Sequence, residues 1–166
     1  MTLMDAPKFD AAVSRRRSRM IYTFLGGFVL LLVVAWLFVG HPVEAPWNWW
    51  AYWSGQRTTD QFLHAIESND LEKAYAIWEH DPDWKQHPAQ YAPYTFDRFQ
   101  NDFGGTSPDN EYGVISSHQI VVARTRPTDV IVGSMINGRK SKPLFLAYGR
   151  QDHKLSFSPV ELGINR

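Results

Sequence analysis

The chain has 166 residues, with seventeen basic side chains, seventeen acidic ones and no cysteine. That length holds one domain of ordinary size plus whatever precedes it. Zero net charge argues against a nucleic-acid partner held by phosphate neutralisation, and the missing cysteine excludes disulfides and thiolate zinc sites.

Taken from the N-terminus, the first organised feature is "MIYTFLGGFVLLLVVAWLFV", residues 20–39, which contains no Asp, Glu, Lys, Arg or His. At ~1.5 Å per residue, a helix of this length matches the ~30 Å hydrocarbon core of a bilayer. A cleavable signal peptide is the main competitor, because Arg15, Arg16, Arg17 and Arg19 make a charged leading region. The apolar run is longer than the ~7–15 residues of a usual signal core. The small-x-small site Val43-Glu44-Ala45 is also followed by Pro46, which disfavours cleavage, so an uncleaved anchor is expected. Thr23 and Gly27, with Gly26 beside them, form a small-xxx-small face on which another helix could pack.

The arginines set the orientation. Five Lys or Arg precede the span against Asp5 and Asp10, whereas Arg57 is the one basic residue in the twenty that follow it. The positive-inside rule places the N-terminus in the cytoplasm and residues 41–166 outside a bacterial-type inner membrane. The expected division is a cytoplasmic tail 1–19, a transmembrane helix 20–40, a Trp-rich interfacial segment 41–56 and an exported domain 57–166.

In "APWNWWAYWSGQ", Pro46 suits a first helical position and Gly55 a position just past a helix end, which predicts two turns over 46–54. On that helix Trp47, Trp49, Trp50 and Trp53 fall within an arc of about 160°, with Tyr52 among them. One-sided tryptophan beside a span is the signature of a helix lying in the headgroup layer, with the indole ring buried and its N–H wet. A stacking platform for envelope glycans or a quaternary ammonium cage is the competing reading.

Beyond Arg57 the apolar periodicity is helical. Thr58 and Gln61 have capping-box spacing, followed by Phe62, Leu63 and Ile66; Asn69 and Glu72 have it again before Leu71, Ala74, Tyr75 and Trp78. A third helix is predicted from about Pro93 to Phe103, with Gly104 as its stop. After "GGTSPDN" the period changes to two. "HQIVVARTR" alternates Ile120 and Val122 against Val121 and Ala123; "DVIVGSMI", the Asn137-Gly138 turn, "PLFLAYG" and "KLSFSPVEL" complete four antiparallel strands. The expected fold class is α+β, with one N-terminal transmembrane helix, then about three helices packed on a curved four-stranded sheet. Several strands are apolar on both faces, which predicts cover for the second face from curvature, a protein partner or a homodimer.

The run "TTDQFLHAIESNDLEKAYAIWE" resembles the opening helical pair of the nuclear transport factor 2-like (cystatin-like α+β cone) superfamily, and the resemblance spans about residues 57–162. It implies a third helix and a strongly bent sheet. The superfamily includes isomerase-like and dehydratase-like enzymes, many non-catalytic proteins, and the periplasmic domain of the single-pass type IV secretion scaffold, whose layout is similar. Fold alone does not transfer function.

In the isomerase-like members a carboxylate base faces an apolar cone, and Tyr75, Trp78, Tyr94, Asp97 and His118 are the residues here that could line one. Helical spacing points Asp97 away from the Phe96, Phe99 and Phe103 face, and a tyrosine on a core stripe is ordinarily packed. "HDPDWKQH" offers His80, Asp81, Asp83 and His87 to a divalent ion, but without ligand geometry. No catalytic residue, cofactor or metal ligand is therefore assigned. Charge is more informative: residues 41–111 carry twelve acidic against four basic side chains, and residues 112–166 carry three against eight. Arg124 and Arg126 are expected on one strand face, with Arg139, Lys140 and Lys142 at the hairpin. This basic set would either meet a charged partner or dock the acidic helices within the domain. The function expected is a scaffold or accessory subunit, in contact with the lipid bilayer and a protein, with small apolar ligand binding or proton transfer as the alternative.

Overall fold

The computed structural model describes residues 11–39 and 44–163. Ten residues of the expected tail, the 40–43 join that includes Val43 of the cleavage-site reading, and residues 164–166 lie outside the described residues. The chain divides into two compact units, Met1–Pro46 and Trp47–Arg166.

The first unit contains helix α1, Ala11–Phe38. It begins before the apolar run, so the four arginines occupy its early turns instead of preceding it. Alanine and arginine are good helix formers, and the stretch before Gly26 contains no breaker. Thr23 donates its hydroxyl to Arg19 O at 2.9 Å. From Ser14 to Phe38 the helix is long and apolar enough to cross a membrane, and none of its apolar window is buried.

The second unit is α+β. Pro46–Asn48 forms a single 3₁₀ turn that runs into α2, Trp49–Glu67. The expected stop at Gly55 does not occur; the helix passes straight through it, and Thr58 is an interior residue instead of a cap. Gly55 is there for close approach. A Cβ added to it would lie 2.9 Å from Val130 Cβ and 3.4 Å from Tyr148 Cδ1, so only glycine lets the helix approach the sheet this closely. The Trp-rich stretch from Trp47 onward consequently belongs to the α+β unit and is not a separate segment.

The break after α2 is at Asn69, whose φ of +56° is a left-handed conformation that asparagine tolerates. Helix α3 covers Leu71–Trp78; its cap is Asp70, one residue later than expected, whose carboxylate accepts from Lys73 N at 3.1 Å. Helix α4 covers Phe96–Phe103 and starts after Thr95, whose hydroxyl accepts from Arg98 N, so it is shorter than the Pro93 start predicts.

The sheet is an antiparallel meander in the order β1-β2-β3-β4, with β1 His118–Thr125, β2 Asp129–Ile136, β3 Arg139–Gly149 and β4 Leu155–Phe157. Asn137 and Gly138 have φ of +51° and +70°, as a type I′ turn requires. A bulge between Ile120 and Val122 shifts the register, which overturns the simple alternation expected in β1. Ile120 and Ala123 pack toward the core. Val122 faces Gly133 on the opposite side, where it and Phe145 would both lie within 2.8 Å of a Cβ at Gly133. Ile131 and Ala147 on this second face are buried within the chain itself.

The helices cover the first face through an aromatic core. Phe62 has no exposed surface and sits 5.5 Å from Trp78, 5.2 Å from Phe103 and 6.1 Å from Phe99, ring to ring. Burial of one such ring contributes about 1.5–3 kcal/mol, so this cluster ties α2, α3 and α4 to one another, and Phe157 of β4 joins it to the sheet at 5.2 Å from Trp78 and 5.5 Å from Phe103.

Candidate functional site

Four groups of residues merit a functional reading. The first is the aromatic entry to α2. Trp47 and Trp50 are 81 % and 73 % exposed, whereas Trp49, Tyr52 and Trp53 are half-buried. Trp53 contacts the Trp50 ring at 5.2 Å, and the Arg57 guanidinium lies 5.3 Å from its centroid. The tryptophans are therefore divided between an outward group and a group packed on the domain.

The residues proposed for a cone pocket are structural in their contacts. Tyr75 and Trp78 are core residues, and Tyr75 gives its hydroxyl proton to Tyr94 O at 2.6 Å. Tyr94 donates in turn to Asp102 Oδ2 at 2.8 Å. A phenol has one proton to donate, so neither hydroxyl retains one for a substrate oxygen. Burial, with Glu79 nearby, pushes the Tyr75 phenol up to about 12, and burial followed by the Asp102 hydrogen bond raises Tyr94 further. Asp97 is exposed in the first turn of α4, where a carboxylate suits the helix dipole.

The acidic and basic halves meet inside the unit. Lys154 Nζ reaches Glu79 Oε2 at 2.7 Å, and Lys142 Nζ reaches Glu111 Oε2 at 2.5 Å, which holds the Glu111 carboxyl below its usual range. Arg124 is exposed in β1, but Arg126 lies past the strand end and faces Asp129 at 3.6 Å, so the two do not share a strand face as expected. Arg139 and Lys140 are exposed where β3 begins. In the 80–87 loop, Asp81 accepts from Tyr91 Oη at 2.6 Å and from Asp83 N at 2.8 Å, and lies 3.2 Å from His87 Nδ1. The Tyr91 bond is the main cause that holds Asp81 below the usual carboxylate range. Asp83 enters this set through its backbone alone, and His80 turns away to stand 5.4 Å from the His153 ring.

The fourth group was the least legible in sequence. Asp60, His64 and Glu67 are spaced four and three apart along α2, which puts them on one face, and His118 opens β1 opposite them. His118 Nδ1 lies 2.6 Å from Glu67 Oε1, and His64 Nδ1 lies 2.9 Å from Glu67 Oε2. His118 Nε2 is 3.1 Å from Asp60 Oδ1, and His64 Nε2 is 3.9 Å from Asp60 Oδ2. The His118 side chain is 4 % exposed, against 64 % for His64, so the cluster is closed on the sheet side and open on the helix side. Donor atoms of Asp60, His64 and His118 all lie within 4.8 Å of one another, a set that could hold a metal ion. Sequence reasoning singled out His118 alone; the D-x3-H-x2-E spacing on a predicted helix was the available signal for the other three.

Fold and sites together define an α+β unit carried behind one long apolar helix. No family model, curated protein or solved structure matches the chain.

Proposed function

We propose that the protein is a single-pass component of a bacterial-type inner membrane, with its N-terminus cytoplasmic and its α+β unit exported, serving protein interaction as a scaffold or accessory subunit. The observation that carries this reading is the twenty-residue charge-free run placed directly behind Arg15, Arg16, Arg17 and Arg19. Exposed Trp47 and Trp50, only a few residues beyond that run, fit an interfacial collar that sets how the unit rests on the bilayer.

The order of three helices followed by an antiparallel meander is compatible with a nuclear transport factor 2-like cone, and the layout with that of the type IV secretion scaffold. The interaction role draws support from the exposed basic residues Arg124, Arg139 and Lys140, which no ion pair among the described residues neutralises, and from partly exposed Phe157 and Val160 near the last strand. The committed phenols of Tyr75 and Tyr94 weigh against proton transfer in the cone.

Photo-crosslinking from positions 124, 139 and 140 in intact cells, followed by mass spectrometry, tests this role. A defined protein captured from these positions and lost on Arg139→Glu with Lys140→Glu is the expected result. A chain that yields no adduct and purifies in mild detergent as a lone monomer would overturn it.

A further inference from the structure

We propose that Asp60, His64 and His118 form a three-ligand site for a divalent transition-metal ion of the zinc class, with Glu67 as the carboxylate that orients both imidazoles. One donor atom from each of Asp60, His64 and His118 lies within 4.8 Å of the other two. Glu67 presents one oxygen to each histidine Nδ1, at 2.6 Å and 2.9 Å, and a carboxylate only accepts hydrogen bonds, so each ring donates its Nδ1–H to it. With Nδ1 engaged by Glu67, Nε2 is the nitrogen that each ring can offer to an ion. Both Nε2 atoms face the same Asp60 carboxylate, at 3.1 Å and 3.9 Å.

A tetrahedral zinc ion with bonds of ~2.0–2.1 Å separates its donors by about 3.3 Å, and the three donor atoms here lie within 4.8 Å of one another. His64 is the ligand free to close the difference, because its side chain is the exposed one. The donor chemistry also fits. Two imidazoles and one carboxylate suit zinc and its first-row neighbours, and a carboxylate holding the far nitrogen of each ligating histidine is the usual outer shell of such sites. With three protein ligands and an open helix side, the fourth position falls to water. The ion would join α2 to the first strand at the domain's solvent surface.

The test uses tag-free full-length protein in detergent, stripped with chelator and titrated with Zn²⁺ by calorimetry, with Co²⁺ absorption as a second reading. One equivalent of Zn²⁺, a rise in Tm on binding, and a Co²⁺ visible band of low coordination number are expected. His64→Ala and Asp60→Asn, both at partly exposed positions, should each weaken Zn²⁺ by at least about ten-fold, and Glu67→Gln by about 10–100-fold, with unchanged circular dichroism. His118→Ala removes a buried ring and is read only alongside the other variants. Failure to bind Zn²⁺ would overturn the site. Binding that survives His64→Ala and Asp60→Asn unchanged would overturn it as well.

Discussion

Helices α1 and α2 are both long and both rich in apolar residues, yet they dispose of them in opposite ways. In α1 the large side chains point all round and remain uncovered: Tyr22, Phe24, Leu30, Leu31 and Phe38 are each more than half exposed. In α2 the buried set is Gly55, Thr59, Phe62, Leu63, Ala65 and Ile66, a single stripe against α3 and the sheet. Among the described residues none of the apolar window of α1 is buried, as suits a helix apolar on every side, whereas the amphipathic α2 covers its stripe within its own unit. Substitutions in the two helices should therefore separate cleanly between membrane association and domain stability.

The largest separation is expected at Phe62. Phe62→Ala leaves a cavity among Trp78, Phe99 and Phe103 and should lower the stability of the α+β unit by about 3–5 kcal/mol, read as a fall in Tm, while the chain stays in the membrane fraction. Leu30→Arg is the mirror experiment. It places a charge in the middle of the apolar run at a cost of about 2.5–3.5 kcal/mol to insertion, so carbonate-resistant membrane association should drop with the domain melt unchanged. Gly55→Ala comes next. It removes a helix-interior glycine, a gain of about 1 kcal/mol, but drives a Cβ into Val130, and a net loss of about 1–3 kcal/mol is expected because overpacking outweighs propensity. If Gly55→Ala stabilised the protein, the close approach of α2 to the sheet would be wrong.

The smallest effect is a pH dependence. Asp81 has its pKa lowered in the folded state by Tyr91, so the stability it contributes is present above the unfolded carboxyl value and is lost as pH falls through the folded one. The Tm difference between the protein and Tyr91→Phe should accordingly be full near neutral pH and shrink as pH falls below about 4. A difference that widened on acidification would contradict the assignment.

How much of this was legible in sequence depends on how local each cause is. The Asn137-Gly138 turn was readable because a type I′ turn makes its demand on those two residues alone. The apolar run and the helical stripes were readable because periodicity states which side is covered. Gly55 was not. A glycine that ends a helix and one that lets a helix approach a sheet look the same until Val130 and Tyr148 are placed beside it. The bulge that turns Val122 to the second face has no residue signature in β1 either, since valine suits both faces. The Asp60, His64, Glu67 and His118 cluster was half visible: its helical members share a spacing, but the fourth comes from a strand far along the chain, brought there by folding. The second sheet face was expected to need cover from curvature, a protein partner or a homodimer, and within the chain Val122 and Phe145 close over Gly133.

The central claim is the proposal that the N-terminus and the α+β unit lie on opposite sides of a bilayer, and the absence of native cysteine makes it directly measurable. Single cysteines at Ser18→Cys and Gln61→Cys, both exposed positions, can be challenged in intact spheroplasts with a membrane-impermeant maleimide. Labelling of Gln61→Cys without lysis, with Ser18→Cys reacting only after the membrane is broken, is the predicted result. Labelling of Ser18→Cys in intact spheroplasts, or protection of Gln61→Cys until lysis, would contradict it.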